Sequence, residues 1–217
     1  MLDFSEMDEQ IISEEVVIEA EPPPKPNIAF VDGQNLYFGT TKCHICAKSL
    51  GIELKYMNLS NCICGAAWEV DLAKFRVYLR ENYAISEVYY FLGYLRDTNQ
   101  ELYNKIQKAG FIVVFKEHSE LLKSKKKGNV DTDIVFEIMK NLLDNQEFSK
   151  VLLVSGDGDY KKLVNYLITK DKFEKILFPN KKFASSLYNV FGSERFDYLE
   201  NIRTYIDIAL PINEKGS

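Results

Sequence analysis

The sequence predicts an α/β domain with a central, mainly parallel sheet between layers of helices. Three observations carry this. Short apolar runs recur along the chain, stretches of helical spacing lie between them, and two of the runs lead into loops of aspartate and glycine. Strands that alternate with helices need crossover connections, and crossovers give parallel pairing. The 217 residues, 46% hydrophobic and 13% aromatic, suffice for one such domain with additions.

The elements follow in order. Residues 28–31 (IAFV) form a first buried strand that ends in Asp32-Gly33. Residues 87–94 form a second. Residues 99–109 have helical spacing through Leu102, Ile106 and Ala109, and Gly110 stops them. Residues 111–115 (FIVVF) are a third strand, and 131–143 a helix with Ile134, Ile138 and Leu142 on one face. Residues 151–154 are a fourth strand, followed by Ser155-Gly156-Asp157-Gly158-Asp159. A helix over 160–169, a strand over 175–178, a helix over 183–191 and an edge strand over 203–208 complete the pattern. Residues 42–67 do not fit the alternation and read as an insertion. Residues 1–26 carry eight acids against Lys25 alone, a net of −7 within a chain total of −5, so the remainder is +2. Pro22, Pro23, Pro24 and Pro26 make the end of this segment a stiff linker. The tail is expected to be disordered, or to cover a basic surface or dock a protein partner.

Several classes are excluded. No run approaches the ~18–20 apolar residues of a membrane span, so no membrane role is expected. The start has neither basic residues nor an apolar core, so a secretory signal is not expected and the cytoplasm is the expected location. Phe136 stands where a calcium loop opening at Asp131 needs glycine. There is no nucleophile elbow for a serine triad and no phosphate-binding glycine motif.

What remains is a set of acids. In an open parallel sheet, ligands bind where loops leave the carboxyl ends of strands. Asp32, with Asn35 three residues on, ends the first strand, and Asp157 and Asp159 follow the fourth. Asp131 and Asp133 open the helix between the third and fourth strands. Each alone could be a helix cap or a turn residue. Together, several carboxylates repel unless a cation lies between them, and oxygen-only donors suit Mg²⁺ or Mn²⁺. Such ions activate water and stabilise charge on a phosphate, the chemistry of phosphodiester cleavage.

Residues 28–37 (IAFVDGQNLY), 127–133 (KGNVDTD) and 153–160 (LVSGDGDY) resemble NYN domains, which are PIN-like nuclease domains, and among them the LabA/DUF88-like branch. The likeness runs in order over about residues 27–208. It implies a PIN-like αβα sandwich within residues 27–210, with 211–217 as a C-terminal tail, and a divalent-metal ribonuclease site. It maps metal-binding acids onto Asp32, Asp131, Asp157 and Asp159, with Asn35 as a polar helper, and Asp133 matches a further family acid. Asp32, Asn35, Asp131, Asp157 and Asp159 are thus the candidate catalytic set. Lys125, Lys126, Lys127 and Ser155 are candidate substrate contacts.

Cys43-x-x-Cys46 and Cys62-x-Cys64 lie fifteen residues apart within the insertion. Two close pairs across a short hairpin suit a tetrahedral structural zinc, with His44 an alternative ligand. Lys123 and Lys125 to Lys127 run toward Asp131, where a phosphate backbone would lie, and Lys161, Lys162, Lys181 and Lys182 add charge. Tyr37 and Phe38 are candidates to stack a base or to join the core. The expectation is a metal-dependent endoribonuclease acting on single-stranded RNA. The alternatives are an inactive RNA- or protein-binding module and, less favoured because Gln34 replaces the second aspartate it needs, a phosphatase. Self-assembly is compatible with the sequence but not specified by it.

Overall fold

The structure, a computed structural model, describes residues 24–93, 95, 97–116, 130–144 and 147–209. Among these, six strands form one sheet: β1 (Asn27–Asp32), β2 (Ile85–Leu92), β3 (Ile112–Phe115), β4 (Val151–Val154), β5 (Phe173–Phe178) and β6 (Phe196–Tyr198). The order is β3-β2-β1-β4-β5-β6, and every neighbouring pair is parallel. β1 and β4 lie at the centre, paired from Ile28 with Val151 to Val31 with Val154. Both are continuous apolar runs because both of their faces are covered.

The helices are α1 (Gly33–Thr41), α2 (His44–Leu50), α3 (Leu72–Tyr83), α4 (Gln100–Lys108), α5 (Asp131–Leu143), α6 (Lys161–Thr169) and α7 (Arg203–Ile206). Side chains alternate across the pleat. Ala29, Val31, Val88 and Leu152 meet Phe75 and Leu79 of α3, Ile106 of α4, and Ile202 and Ile206 near the C-terminus. Ile28, Phe30 and Leu153 meet Ile134 and Ile138 of α5 and Leu163, Val164 and Leu167 of α6. The molecule is therefore an αβα sandwich with two apolar layers. No helix among the described residues is long and apolar enough to cross a membrane.

Two expectations fail. Residues 203–206 are helical, not an edge strand: Ile202 and Ile206 share one buried face, and Arg203 Nε donates to Asp207 Oδ2 four residues on at 2.8 Å. Only Asp207 touches strand geometry, as an antiparallel bridge to Val70. The edge strand is instead β6, too short to show a period, held by Phe196 and Tyr198 against Phe178 at ring separations of 5.6 and 5.5 Å. Residues 183–191 contain one 3₁₀ segment, Ser186–Val190, where an α-helix was expected. Helices α1 and α3 complete the alternation. Asp71 caps α3 through the N–H groups of Ala73 and Lys74, and Ala84 ends it at φ 50°.

The β1–α1 junction is a close approach. A Cβ at Gly33 would lie 2.3 Å from the Tyr90 ring and 2.7 Å from the Phe91 carbonyl oxygen. The ring could yield, but the strand carbonyl cannot. Gly33→Ala should therefore cost about 1–3 kcal/mol, the range for overpacking a filled site. Urea unfolding monitored by circular dichroism checks this, and an unchanged midpoint would refute the close packing.

Candidate metal centre and Cys-rich element

The strand order reverses between β1 and β4, because β1 turns toward β2 on one side and β4 toward β5 on the other. That switch point opens a crevice at the carboxyl edge. Asp32 ends β1 there, and the 155–159 loop leaves β4 beside it. Asp131, at the first turn of α5, reaches the same place from the second helical layer.

Carboxylate oxygens of Asp131, Asp157 and Asp159 lie within 4.8 Å of one another. Asp32 is not one of this close group, but it is near enough to feel the charges of Asp131 and Asp157 and is only 5% exposed. Burial first, then the charges of Asp131 and Asp157, push its pKa from the ordinary 3.8 up to about 6, against the N–H groups of Asn35 and Gln34, which favour the ionised form. Asp32 also caps α1 by accepting the Asn35 N–H at 2.9 Å. Asp133 belongs to a different contact: it faces Lys116 Nζ at 3.7 Å, and its Oδ2 is buried without a hydrogen bond.

Each acid is held by its surroundings. The Tyr160 hydroxyl donates to Asp131 Oδ1 at 2.6 Å, the Asp159 N–H to Asp157 Oδ1 at 3.0 Å, and the Tyr188 hydroxyl to the Asp157 carbonyl. Burial, followed by the nearby carboxylates, raises the pKa of Tyr160 and Tyr188 well above that of a free phenol. Both therefore stay protonated as donors, Tyr160 to Asp131 on α5 and Tyr188 to the loop that bears Asp157. Neither tyrosine stood out in the sequence, although Tyr160 adjoins the Gly158-Asp159 turn. Asn35 ties the two halves of the crevice together, since its Oδ1 accepts the Gly156 N–H at 2.8 Å. Ser155 is fully buried, and its hydroxyl accepts the Asp157 N–H at 3.2 Å, so it shapes the loop. Lys125, Lys126 and Lys127 lie outside the described residues. Lys161 and Lys162 open α6 directly after this loop, and Tyr37 is exposed on α1.

The donor set fits a hard divalent cation. It consists only of carboxylates, three of them converge on one spot, and buried Asp32, near Asp131 and Asp157, resists ionisation in the absence of a neutralising charge.

The insertion brings its four cysteines together. Sulfur separations are 3.4 Å for Cys43–Cys64, 3.7 Å for Cys62–Cys64 and 3.9 Å for Cys46–Cys62, and all four are free thiols. Four sulfurs at about 2.3 Å from a tetrahedral zinc would lie about 3.8 Å apart, so spacing and donor type both fit zinc. The Cys46 N–H points at Cys43 Sγ at 3.4 Å and the Ala67 N–H at Cys62 Sγ at 3.3 Å, contacts that favour thiolates. His44 is exposed and lies outside the cluster. The packed residues beneath are few, Met57, Ala47 and Ala67 with Cys43 and Cys46. Lys42, itself buried, closes the loop by donating to the carbonyls of Met57 and Lys55.

An NYN domain model matches residues 27–196. The chain belongs to the NYN domain family. A solved structure, a protein of unknown function VPA0982 from Vibrio parahaemolyticus RIMD 2210633, is 19% identical with a TM-score of 0.54, covering 86% of this chain and 99% of that one. At that identity it speaks to the fold alone. No curated protein matches the sequence. The domain match places the αβα sandwich among PIN-like folds and spans Asp32, Asp131, Asp157 and Asp159.

Two tests follow from the geometry. A raised carboxyl pKa means that the folded chain holds a proton the unfolded chain has released. Stability of the cation-free protein should therefore fall as pH rises from about 4 to about 6 and level off above, by roughly 3 kcal/mol at about 1.4 kcal/mol per unit. Asp32→Asn, which can still cap α1, should flatten that fall. Chemical denaturation across pH in both proteins checks it, and parallel profiles would remove the buried-acid account. For the Cys-rich element, purified protein should carry about one zinc per chain by elemental analysis. Replacing Cys43 and Cys46 with serine should release it and expose residues 42–67 to proteolysis, leaving the sheet folded. Protein purified without chelators and free of zinc would contradict this.

Proposed function

We propose that this NYN domain is a divalent-metal-dependent ribonuclease that cleaves single-stranded RNA endonucleolytically. The observation that carries the reading is the convergence of Asp131, Asp157 and Asp159 near buried Asp32 at the sheet's switch point. The VDGQNLY and SGDGDY blocks, residues 31–37 and 155–160, favour the LabA/DUF88-like branch. Asp32, Asp131, Asp157 and Asp159 would hold Mg²⁺ or Mn²⁺, and Asp133 is left to its contact with Lys116. When bound, such an ion supplies charge for the developing negative phosphate and a more acidic water.

The chain's own residues then have distinct tasks. Asp131, Asp157 and Asp159 present negative oxygens to a single point, and the Tyr160 and Tyr188 hydroxyls fix the first two of their segments. Asn35 is a positioning residue: its bond to Gly156 sets the distance between the β1 and β4 loops. Lys116 at the end of β3 and Lys161 and Lys162 at the start of α6 lie near this edge, where a phosphate backbone needs counter-charge. The acidic residues 1–26 would compete with RNA for such cations.

Asp157→Asn keeps the shape of the loop and removes one charge. Cleavage of a labelled mixed single-stranded RNA pool in Mg²⁺ or Mn²⁺ should fall by about two orders of magnitude or more, because several kcal/mol of charge stabilisation depends on the ligand set. Undiminished cleavage would exclude Asp157 as a ligand. RNA binding without cleavage by the unaltered protein in either metal would favour the inactive binding module.

A further inference from the structure

A cavity of about 220 Å³ lies between the Cys-rich element and the segment that follows β5. One wall is Lys42, His44 and Ile45, the opposite wall is Lys182 and Phe183, and Trp68 lies between them. It holds none of the clustered acids and touches the thiol cluster only through Cys43. We propose that this cavity is a nucleotide subsite, which holds one base and its phosphate from the single-stranded RNA engaged at the acid centre. The inference rests on the ribonuclease reading of that centre.

Contiguity is the first argument. The 180–185 segment runs from the cavity to the acid loop, where the Ser185 N–H donates to the Gly156 carbonyl at 3.0 Å. A Cβ at Gly156 would lie 2.9 Å from the Phe183 carbonyl oxygen, so the cavity wall and the loop bearing Asp157 are in direct contact. At its other end, Asn180 Nδ2 donates to the Gly39 carbonyl at 3.0 Å and ties the segment to α1. A strand of RNA leaving the crevice past Asp157 has this segment as its floor.

The lining is the second argument. Bases bind to exposed aromatic and aliphatic faces, and phosphates bind to cations beside them. Phe183 and Ile45 supply the first and Lys182 the second, while Lys42 Nζ is held by the Met57 and Lys55 carbonyls. One carboxylate, Glu200, also lines the cavity and accepts the Lys181 backbone N–H at 2.9 Å, and Asp207, outside the lining, takes Arg203 Nε at 2.8 Å. Arg203 in turn lies 5.4 Å over the Trp68 ring and donates to the Gly65 carbonyl at 2.8 Å, so the hairpin of the Cys-rich element is fixed as part of the wall. The Trp68 indole N–H is buried and without a hydrogen-bond partner, which leaves unmet capacity in that wall. The volume is below the 300–1,000 Å³ or so of drug-sized pockets and leaves room for one flat base with its phosphate at the open rim.

Trp68 is the chain's single tryptophan, which makes occupancy directly observable. The full-length Asp157→Asn protein, kept free of chelators, is titrated with a six-nucleotide single-stranded RNA, following tryptophan emission and the anisotropy of a labelled copy. The proposal expects emission to change in step with binding. It also expects Phe183→Ala, and separately Lys182→Glu on an exposed position, to weaken affinity about fivefold or more, in the range of one base stack. Made singly in the protein that retains Asp157, both substitutions should leave Mn²⁺ affinity unchanged by calorimetry. RNA that binds with tryptophan emission unmoved, and with both variants silent, overturns the subsite while the ribonuclease reading stands. Failure of the unaltered protein to bind any single-stranded RNA overturns both.

Discussion

Like charges crowded at the carboxyl edge of the sheet are the constraint on which this molecule turns. Three carboxylates share a space less than 5 Å across, with a fourth acid near them that burial and its neighbours hold near pH 6. Hydrophobic packing cannot offset such repulsion locally. What holds it in place is a frame of uncharged donors: the phenols of Tyr160 and Tyr188 and the N–H groups of Asn35, Gly156 and Asp159. On the function proposed above, a cation bound among these carboxylates relieves that repulsion.

The parallel sheet makes that arrangement achievable. Because β1 and β4 are buried on both faces, their ends are rigid, and the reversal of strand order opens the crevice between those ends. Glycine supplies the remaining geometry. Gly33 admits Tyr90 and the Phe91 carbonyl, while Gly156 admits Phe183 against the acid loop. The aspartates and the glycines in their two blocks therefore do different work: the former set the charge, the latter bring the backbones close enough for it to converge.

This division explains how far the sequence could be read. The apolar runs of β1, β3 and β4 and the helices α4, α5 and α6 are visible because burial imposes their periods, and Asp32, Asp131 and Asp157 stand at the ends of such elements. Helix α3 was not anticipated, although Asp71 followed by Leu72, Phe75 and Leu79 marks it, because it lies behind the insertion that interrupts the pattern. The three-residue β6 and the helical turn at Arg203–Ile206 were not, since Ile and Thr favour strands locally and only tertiary contacts decide otherwise. The same limit applies within the site. Asp133 has the same spacing credentials as Asp131, yet two positions along a helix turn it toward Lys116, and no pattern of residue types reveals which acid faces the crevice. Tyr160 closes the SGDGDY block and Tyr188 carries no motif, and neither position reveals its hydrogen bond; the four cysteines announce their own grouping but not their distance from the acid loop.

The account's central claim is that the acids at the switch point form one cation site. Crystals of the full-length protein grown with Mn²⁺ give the direct measurement, through anomalous scattering collected at the manganese edge. The account predicts a peak bounded by carboxylate oxygens of Asp131, Asp157 and Asp159, lost in Asp157→Asn. Density at this edge that shows the four acids dispersed, or an anomalous map without a peak among them at saturating Mn²⁺, would contradict it.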